Sequence, residues 1–327
     1  MSHTLDEIKL LIPELWKEPW DEHIAAAENI DREFLRVQAR YAHLLRQLSS
    51  VPVTPAKLGF LSLWSRLFGS LAGAVGTTRW KSRFALNVHS RIALEAFLHL
   101  QAVLLPVLEP DGSDKEEEWN RVRDRLGAYV AWTLHTDCRL YRDLLSEQKL
   151  DAAYSPELER KMAQELSATG ETWEKLTHQR FEIVSDEEAA FDKARGKQSL
   201  QDRLDRNEHW LRDDRLSTWQ ERLRVQEEKQ PNRTVTLFAL LGLKNSVKSF
   251  AEYRGGLLGY FDYSRTSGYI HGSSFESCMA IGGVAIAPDY ADLADEFADC
   301  AKGILRRTGL SALLLSLMAN RLDMLTE

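Results

Sequence analysis

Apolar residues recur along this chain at spacings of three and four. Ile30, Phe34, Val37, Tyr41, Leu44 and Leu48 form one such stripe, the mark of a helix with one buried face. The pattern predicts a helix from Trp20 to about Ser49, broken by Pro52 and Pro55. Gly59 to Gly76 is almost continuously apolar and roughly as long as a membrane span, but Arg66 stands in its middle. A central Arg costs about 3 kcal/mol on insertion scales, so a buried core helix is expected here rather than a span, with an interfacial helix as the alternative.

A second long helix is predicted from about Thr78 to Leu105, ending near Pro106. Glu109-Pro110-Asp111-Gly112 reads as a turn. Ser113 and Glu116 have capping-box spacing, and the helix they start carries Trp119, Val122, Leu126, Tyr129, Val130 and Thr133 on one side and runs to about Gln148. Ser155-Pro156 marks a further start, with helix to about Ile183, and Ser185 with Glu188 another. From Asp186 to Lys229 about half the residues are charged, with both signs interspersed and sparse apolar positions at Leu200, Leu204, Leu211, Leu216, Trp219 and Leu223. This predicts a solvated helical arm or hairpin laced with ion pairs, or a partner-binding arm. Apolar density returns from Val235 to Tyr269, Gly282-Gly283 and Pro288 mark a loop, and the last helices are expected over about Tyr290 to Leu325. Period-two alternation is rare and no internal repeat is present. The pattern therefore predicts an all-α multi-helix bundle.

At 44% hydrophobic and 28% charged residues, the 327-residue chain can bury a core and solvate its outside. The net charge of −7 argues against a surface that binds nucleic acid all over, because phosphate neutralisation needs clustered Lys and Arg; a local basic cleft remains open. Cys138, Cys278 and Cys300 are odd in number and far apart, so neither a disulfide framework nor a cysteine zinc site is expected. No basic-then-apolar leader opens the sequence. These features suggest a cytoplasmic protein without a membrane span.

The sequence lacks the glycine-rich loops that cradle phosphates, a Gly-x-Ser-x-Gly elbow and a His-Glu-x-x-His pair. Glu95 and His99 share a helix face, but paired Glu-x-x-His motifs are missing, and neither a metal nor a cofactor is expected. Chemistry concentrates instead in Tyr253 to Ser274, which holds Arg254, Tyr260, Tyr263, Arg265, Ser267, Tyr269 and His271. Arg matches phosphate geometry and aromatics stack on bases. Arg265 and His271 are six apart, about 240° of rotation on an unbroken helix, so a break at Gly268 or Gly272 is needed to bring both to one cleft.

The spacing Arg265-x5-His271 resembles the Arg-x(4–6)-His motif of HEPN domains, small helical bundles of which many are ribonucleases. The segment Ser267-Gly268-Tyr269-Ile270-His271-Gly272-Ser273 is also similar to the Ser-x-x-aliphatic-His-x-Ser segment of an uncharacterised HEPN-related helical family, and Arg91-x-x-x-Glu95 to an upstream pair in that family. Arg36/His43, Arg83/His89 and Arg203/His209 have the bare spacing too, and only the Ser, Tyr and Gly surroundings single out His271. The resemblance implies a HEPN-like domain over 77–327 with a charged helical insertion at about 186–230, preceded by an N-terminal helical extension over 1–76. It implies a homodimer whose two Arg-His sets line one cleft, with His271 as proton carrier, Arg265 stabilising phosphate charge, and Tyr263, Ser267, Tyr269 and Arg254 as supporting or RNA-binding groups. Arg91 and Glu95 are either a buried pair that holds the His271 segment or a surface ion pair. The implied function is a metal-independent endoribonuclease effector, of the kind found in bacterial toxin and antiviral defence systems, kept silent by a regulatory partner protein. Thr266 follows Arg265 where active members often carry Asn, Asp or His. The resemblance therefore also admits a non-catalytic module that binds nucleotide, nucleic acid or a partner protein.

Overall fold

In the computed structural model, the structure describes residues 21–79, 83–168, 184–229, 234–254, 263, 290–321 and 325. Among these residues all regular structure is helical, and no strand occurs. The helices are α1 (Asp21–Leu48), α2 (Pro55–Arg79), α3 (Arg83–Leu108), α4 (Lys115–Leu144), α5 (Glu147–Tyr154), α6 (Glu157–Ala168), α7 (Asp186–Leu211), α8 (Ser217–Lys229), α9 (Leu237–Leu240) and α10 (Tyr290–Ala319). A 3-10 turn, Asp214–Leu216, precedes α8. The chain divides into two compact units, Thr133–Ser217 and a larger one that holds the remaining described residues.

The larger unit is built on α1, α2, α3 and α10, which pack on one another. The stripe of α1 delivers Ile30, Val37, Leu44 and Leu48 to a core shared with Phe60, Trp64, Leu67 and Leu71 of α2, Leu100 and Val103 of α3, and Ile304 and Leu315 of α10. Residues 21–79 therefore contribute to the same core as α3 and α10. Residue 76, where the boundary was expected, lies inside α2, and the residues on both sides of it belong to the larger unit. Gly59 lets α2 approach α4 closely: a Cβ there would stand 2.9 Å from the Leu126 carbonyl oxygen.

Two helical windows, Pro55–Gly76 and Val88–Leu108, are long and apolar enough to cross a membrane, and 44% and 67% of them is buried inside the protein. Both contribute to this core, and Arg66 of the first meets His99 of the second.

Several ends differ from the sequence pattern for identifiable reasons. The break expected at Pro52 and Pro55 separates α1 from α2; Pro55 itself opens α2, since a proline needs no N–H at the first helical position, and the Thr54 hydroxyl accepts from the Lys57 amide at 3.1 Å. Pro106 lies inside α3 instead of ending it. Its missing N–H leaves the Ala102 carbonyl free, and Arg125 of α4 donates its Nη1 there at 2.7 Å. The cap of α4 is Asp114, which accepts from the Glu117 amide at 2.8 Å, rather than Ser113. Helix α4 stops at Leu144, short of Gln148, because Ser146 takes an extended conformation and starts α5. Helix α6 is described over Glu157–Ala168, and the rest of the helix expected to about Ile183 lies outside the described residues.

In the smaller unit, α7 begins with the expected capping box between Ser185 and Glu188. It packs on α5, where Lys193 bonds to Glu147 and, at 2.6 Å, to Asp151. Gly196 leaves room for the Tyr154 ring, whose hydroxyl would lie 2.0 Å from an added Cβ. The charged segment is not a free arm throughout. In the larger unit Trp219 and Leu223 of α8 are buried, and Trp219 donates its indole N–H to Asp124 at 3.0 Å.

Candidate functional site

Helix α3 is apolar on nearly every side, so its polar residues stand out. Arg91, Glu95 and His99 recur every fourth residue and share one face. Beside them Leu94, Leu98 and Ala102 form a second, smaller core with Phe238, Phe250 and Ala251. Gly242, at φ +69°, closes α9 in a conformation that side chains other than glycine rarely adopt. The chain then returns so that Phe250 stacks on Phe238 with ring centroids 4.5 Å apart.

Arg91 is the centre of the arrangement. Its side chain is 5% exposed and that of Glu95 31%. Arg91 donates Nε at 2.9 Å and Nη2 at 2.7 Å to one Glu95 carboxylate oxygen. Its Nη1 donates to the Tyr263 backbone carbonyl at 3.1 Å, and the guanidinium lies 3.5 Å from the centroid of the Tyr263 ring. The pair is therefore not a surface ion pair. It grips the chain through charge-assisted hydrogen bonds and a cation–π contact. On the neighbouring turn, buried Arg307 of α10 donates to the Ser90 hydroxyl at 2.9 Å.

Arg254 donates to Glu109, and its Nε reaches Gln101 at 3.4 Å. Tyr253 also donates to Glu109, at 2.9 Å. Both side chains thus tie the helical segment 247–254 to the C-terminal end of α3. Of the expected site residues the structure brings together Arg91, Glu95 and Tyr263, while Arg254 is held elsewhere along α3. Arg265, Ser267, Tyr269 and His271 lie outside the described residues. Among the described residues no group of three or more His, Cys, Asp or Glu side chains is arranged to hold a metal ion.

Sequence reasoning passed over a third polar contact on the same face. Arg66 of α2 donates Nη1 to His99 Nδ1 at 2.8 Å and reaches the Tyr129 hydroxyl at 3.5 Å. Trp132 and Phe238 cover the imidazole, with centroids at 5.1 and 5.3 Å. Burial, and then the Arg66 charge, hold His99 well below its ordinary value of 6.5. It is thus a neutral ring accepting at Nδ1, which assigns its proton to Nε2. The usable signal was the placement of Arg66 in an apolar run, which calls for a buried acceptor nearby.

This arrangement has a measurable pH dependence. The unfolded chain protonates His99 near 6.5 and the folded chain resists, so stability is complete above that pH and is lost as pH falls from there through the lowered folded value. The slope reaches about 1.4 kcal/mol per pH unit. His89, lowered by burial, acts with the same sign. Urea midpoints are expected to drop between pH 7.5 and 5.5, and His99→Gln, which keeps an acceptor for Arg66, is expected to flatten part of that drop. Identical pH dependence in the two proteins would contradict the assignment.

No protein-family model, curated protein or solved structure matches the chain.

Proposed function

We propose that this protein is a HEPN-like, metal-independent endoribonuclease effector of the toxin or antiviral-defence kind, acting in the cytoplasm as a homodimer. The observation that carries the reading is the ion pair of buried Arg91 with half-buried Glu95, which holds Tyr263, two residues before Arg265. A surface ion pair contributes little, whereas an Arg held between a carboxylate, a backbone carbonyl and an aromatic ring fixes the position of Tyr263. The segment that follows Tyr263 carries the Arg-x5-His spacing. Preorganisation by buried neighbours is what a catalytic pair requires.

In this reading His271 exchanges a proton with the RNA 2′-hydroxyl or the leaving 5′-oxygen, work suited to a group that titrates near neutral pH. Arg265 stabilises the charge that develops on the phosphate. Ser267 and Tyr269 orient the pair or contact RNA, and Arg91 and Glu95 act as positioning residues. The product is a 2′,3′-cyclic phosphate.

The test is RNA cleavage by purified protein in EDTA, wild type beside His271→Ala. Cleavage with cyclic-phosphate ends by wild type alone is expected, with RNA binding and the melting temperature of His271→Ala unchanged. Cleavage that survives His271→Ala, or its absence from wild type, overturns the catalytic reading.

A further inference from the structure

The edge where α1 meets α10 combines exposed arginines with exposed leucines. Arg32, Arg36 and Arg40 are four residues apart and exposed, so they form a ladder on one face of α1 with steps of about 6 Å. Glu33 pairs with Arg36 at 2.7 Å. Arg32 and Arg40 have no carboxylate partner among the described residues. Beside the ladder, α10 exposes Leu310, Leu313 and Leu317 at 40%, 63% and 41%. Their spacings of three and four place them on one face, which also carries exposed Arg306.

Between the two helices lies a cleft of about 140 Å³ walled by Arg36 and Arg40 on one side and Leu313 and Ser316 on the other. Trp64 also lines it. This indole is fully buried, and its N–H has no hydrogen-bond acceptor. A buried donor left unpaired costs free energy, and an acceptor brought into the cleft would relieve it.

We infer that this edge is a docking surface for an amphipathic helix of a partner protein, apolar on one face and acidic along its flank. The leucines receive the apolar face as in helix-in-groove recognition, the arginine ladder receives the carboxylates, and one partner side chain bearing an acceptor enters the cleft beside Trp64. Charge decides the partner's sign: the whole chain is −7, yet this edge carries exposed Arg32, Arg36, Arg40 and Arg306 with Glu33 as the carboxylate paired among them, so an acidic helix is favoured here. The leucine row decides against a nucleic-acid track, since phosphates would leave it in water. The inference is independent of the ribonuclease reading.

The test uses full-length protein and a labelled synthetic helix of about five turns, with Leu on one face and Glu on the other. A Leu/Lys helix and a scrambled Leu/Glu peptide serve as controls. Fluorescence anisotropy is expected to show binding of the Leu/Glu helix alone, weakened by salt. Leu313→Asp and the double change Arg36→Glu/Arg40→Glu should each weaken it about tenfold or more, or 1.4 kcal/mol. These positions are exposed and leave the core intact, which unchanged thermal melts will verify. The Arg→Glu protein should bind the Leu/Lys helix instead. Equal binding of both helices, or binding unchanged by these substitutions, overturns the inference. So does single-stranded RNA binding that Arg36→Glu/Arg40→Glu abolishes while the peptide fails to bind. A dimer that Leu313→Asp dissolves would replace the acidic partner with a second copy of this chain.

Discussion

Trp64→Ala is expected to destabilise the larger unit by about 3–5 kcal/mol, the range for emptying a large aromatic site in a packed core. Trp64 is fully buried, with Tyr41 at 6.1 Å between ring centroids and Phe60 edge-on at 6.4 Å. Helices α1 and α2 both supply these neighbours, so the cavity cannot close by moving one side chain. Trp64→Phe separates packing from polarity. It keeps a six-membered ring and discards the unpartnered N–H, so its cost is expected to stay near 1 kcal/mol, with part of the lost contact offset by the removed donor. Urea titrations should show the midpoint falling in both, far more for Ala, at an unchanged slope. A Trp64→Ala protein within about 1 kcal/mol of wild type would mean that the indole does not sit in the core.

Arg91→Leu is expected to cost about 2 kcal/mol. Breaking a fully buried ion pair costs about 3–5 kcal/mol, and the partial exposure of Glu95 lets water recover some of that. The change strands the Glu95 carboxylate and removes the donor and the cation from Tyr263. Adding Glu95→Gln should restore part of the loss, giving a coupling of about 1–2 kcal/mol in a double-mutant cycle. Arg91→Lys should not rescue, because an ammonium cannot match the forked contacts or stack on the ring. If the ribonuclease reading holds, cleavage by Arg91→Leu falls at least about tenfold at a temperature where the protein remains folded. Additive losses in the cycle would show that the two side chains do not act as a pair.

The stripe of α1 was legible because six apolar positions repeat over five turns, and the capping box at Ser185 because both of its members are local. The run through Pro106 was not legible, since the group that permits it is Arg125, on another helix. The burial of α8 was equally hidden: its composition is that of a solvated helix, and Trp219 and Leu223 are too few to announce a packed face. At the candidate site, Arg91 and Glu95 were visible as an i, i+4 pair. That Tyr263 closes over them depends on contacts 172 residues apart, which no local pattern encodes. Arg66 attracted notice only as a misfit in an apolar segment, while its acceptor, His99, lies on the next helix.

The proline in α3 bears on the order in which the chain assembles. In an isolated α3 only water would donate to the Ala102 carbonyl, and its last turn would fray at the proline. That turn becomes worth forming only when α4 arrives with Arg125. The segment 106–108 is then a late element of folding, and its amides should exchange with solvent as soon as α4 detaches, ahead of the turns that precede it.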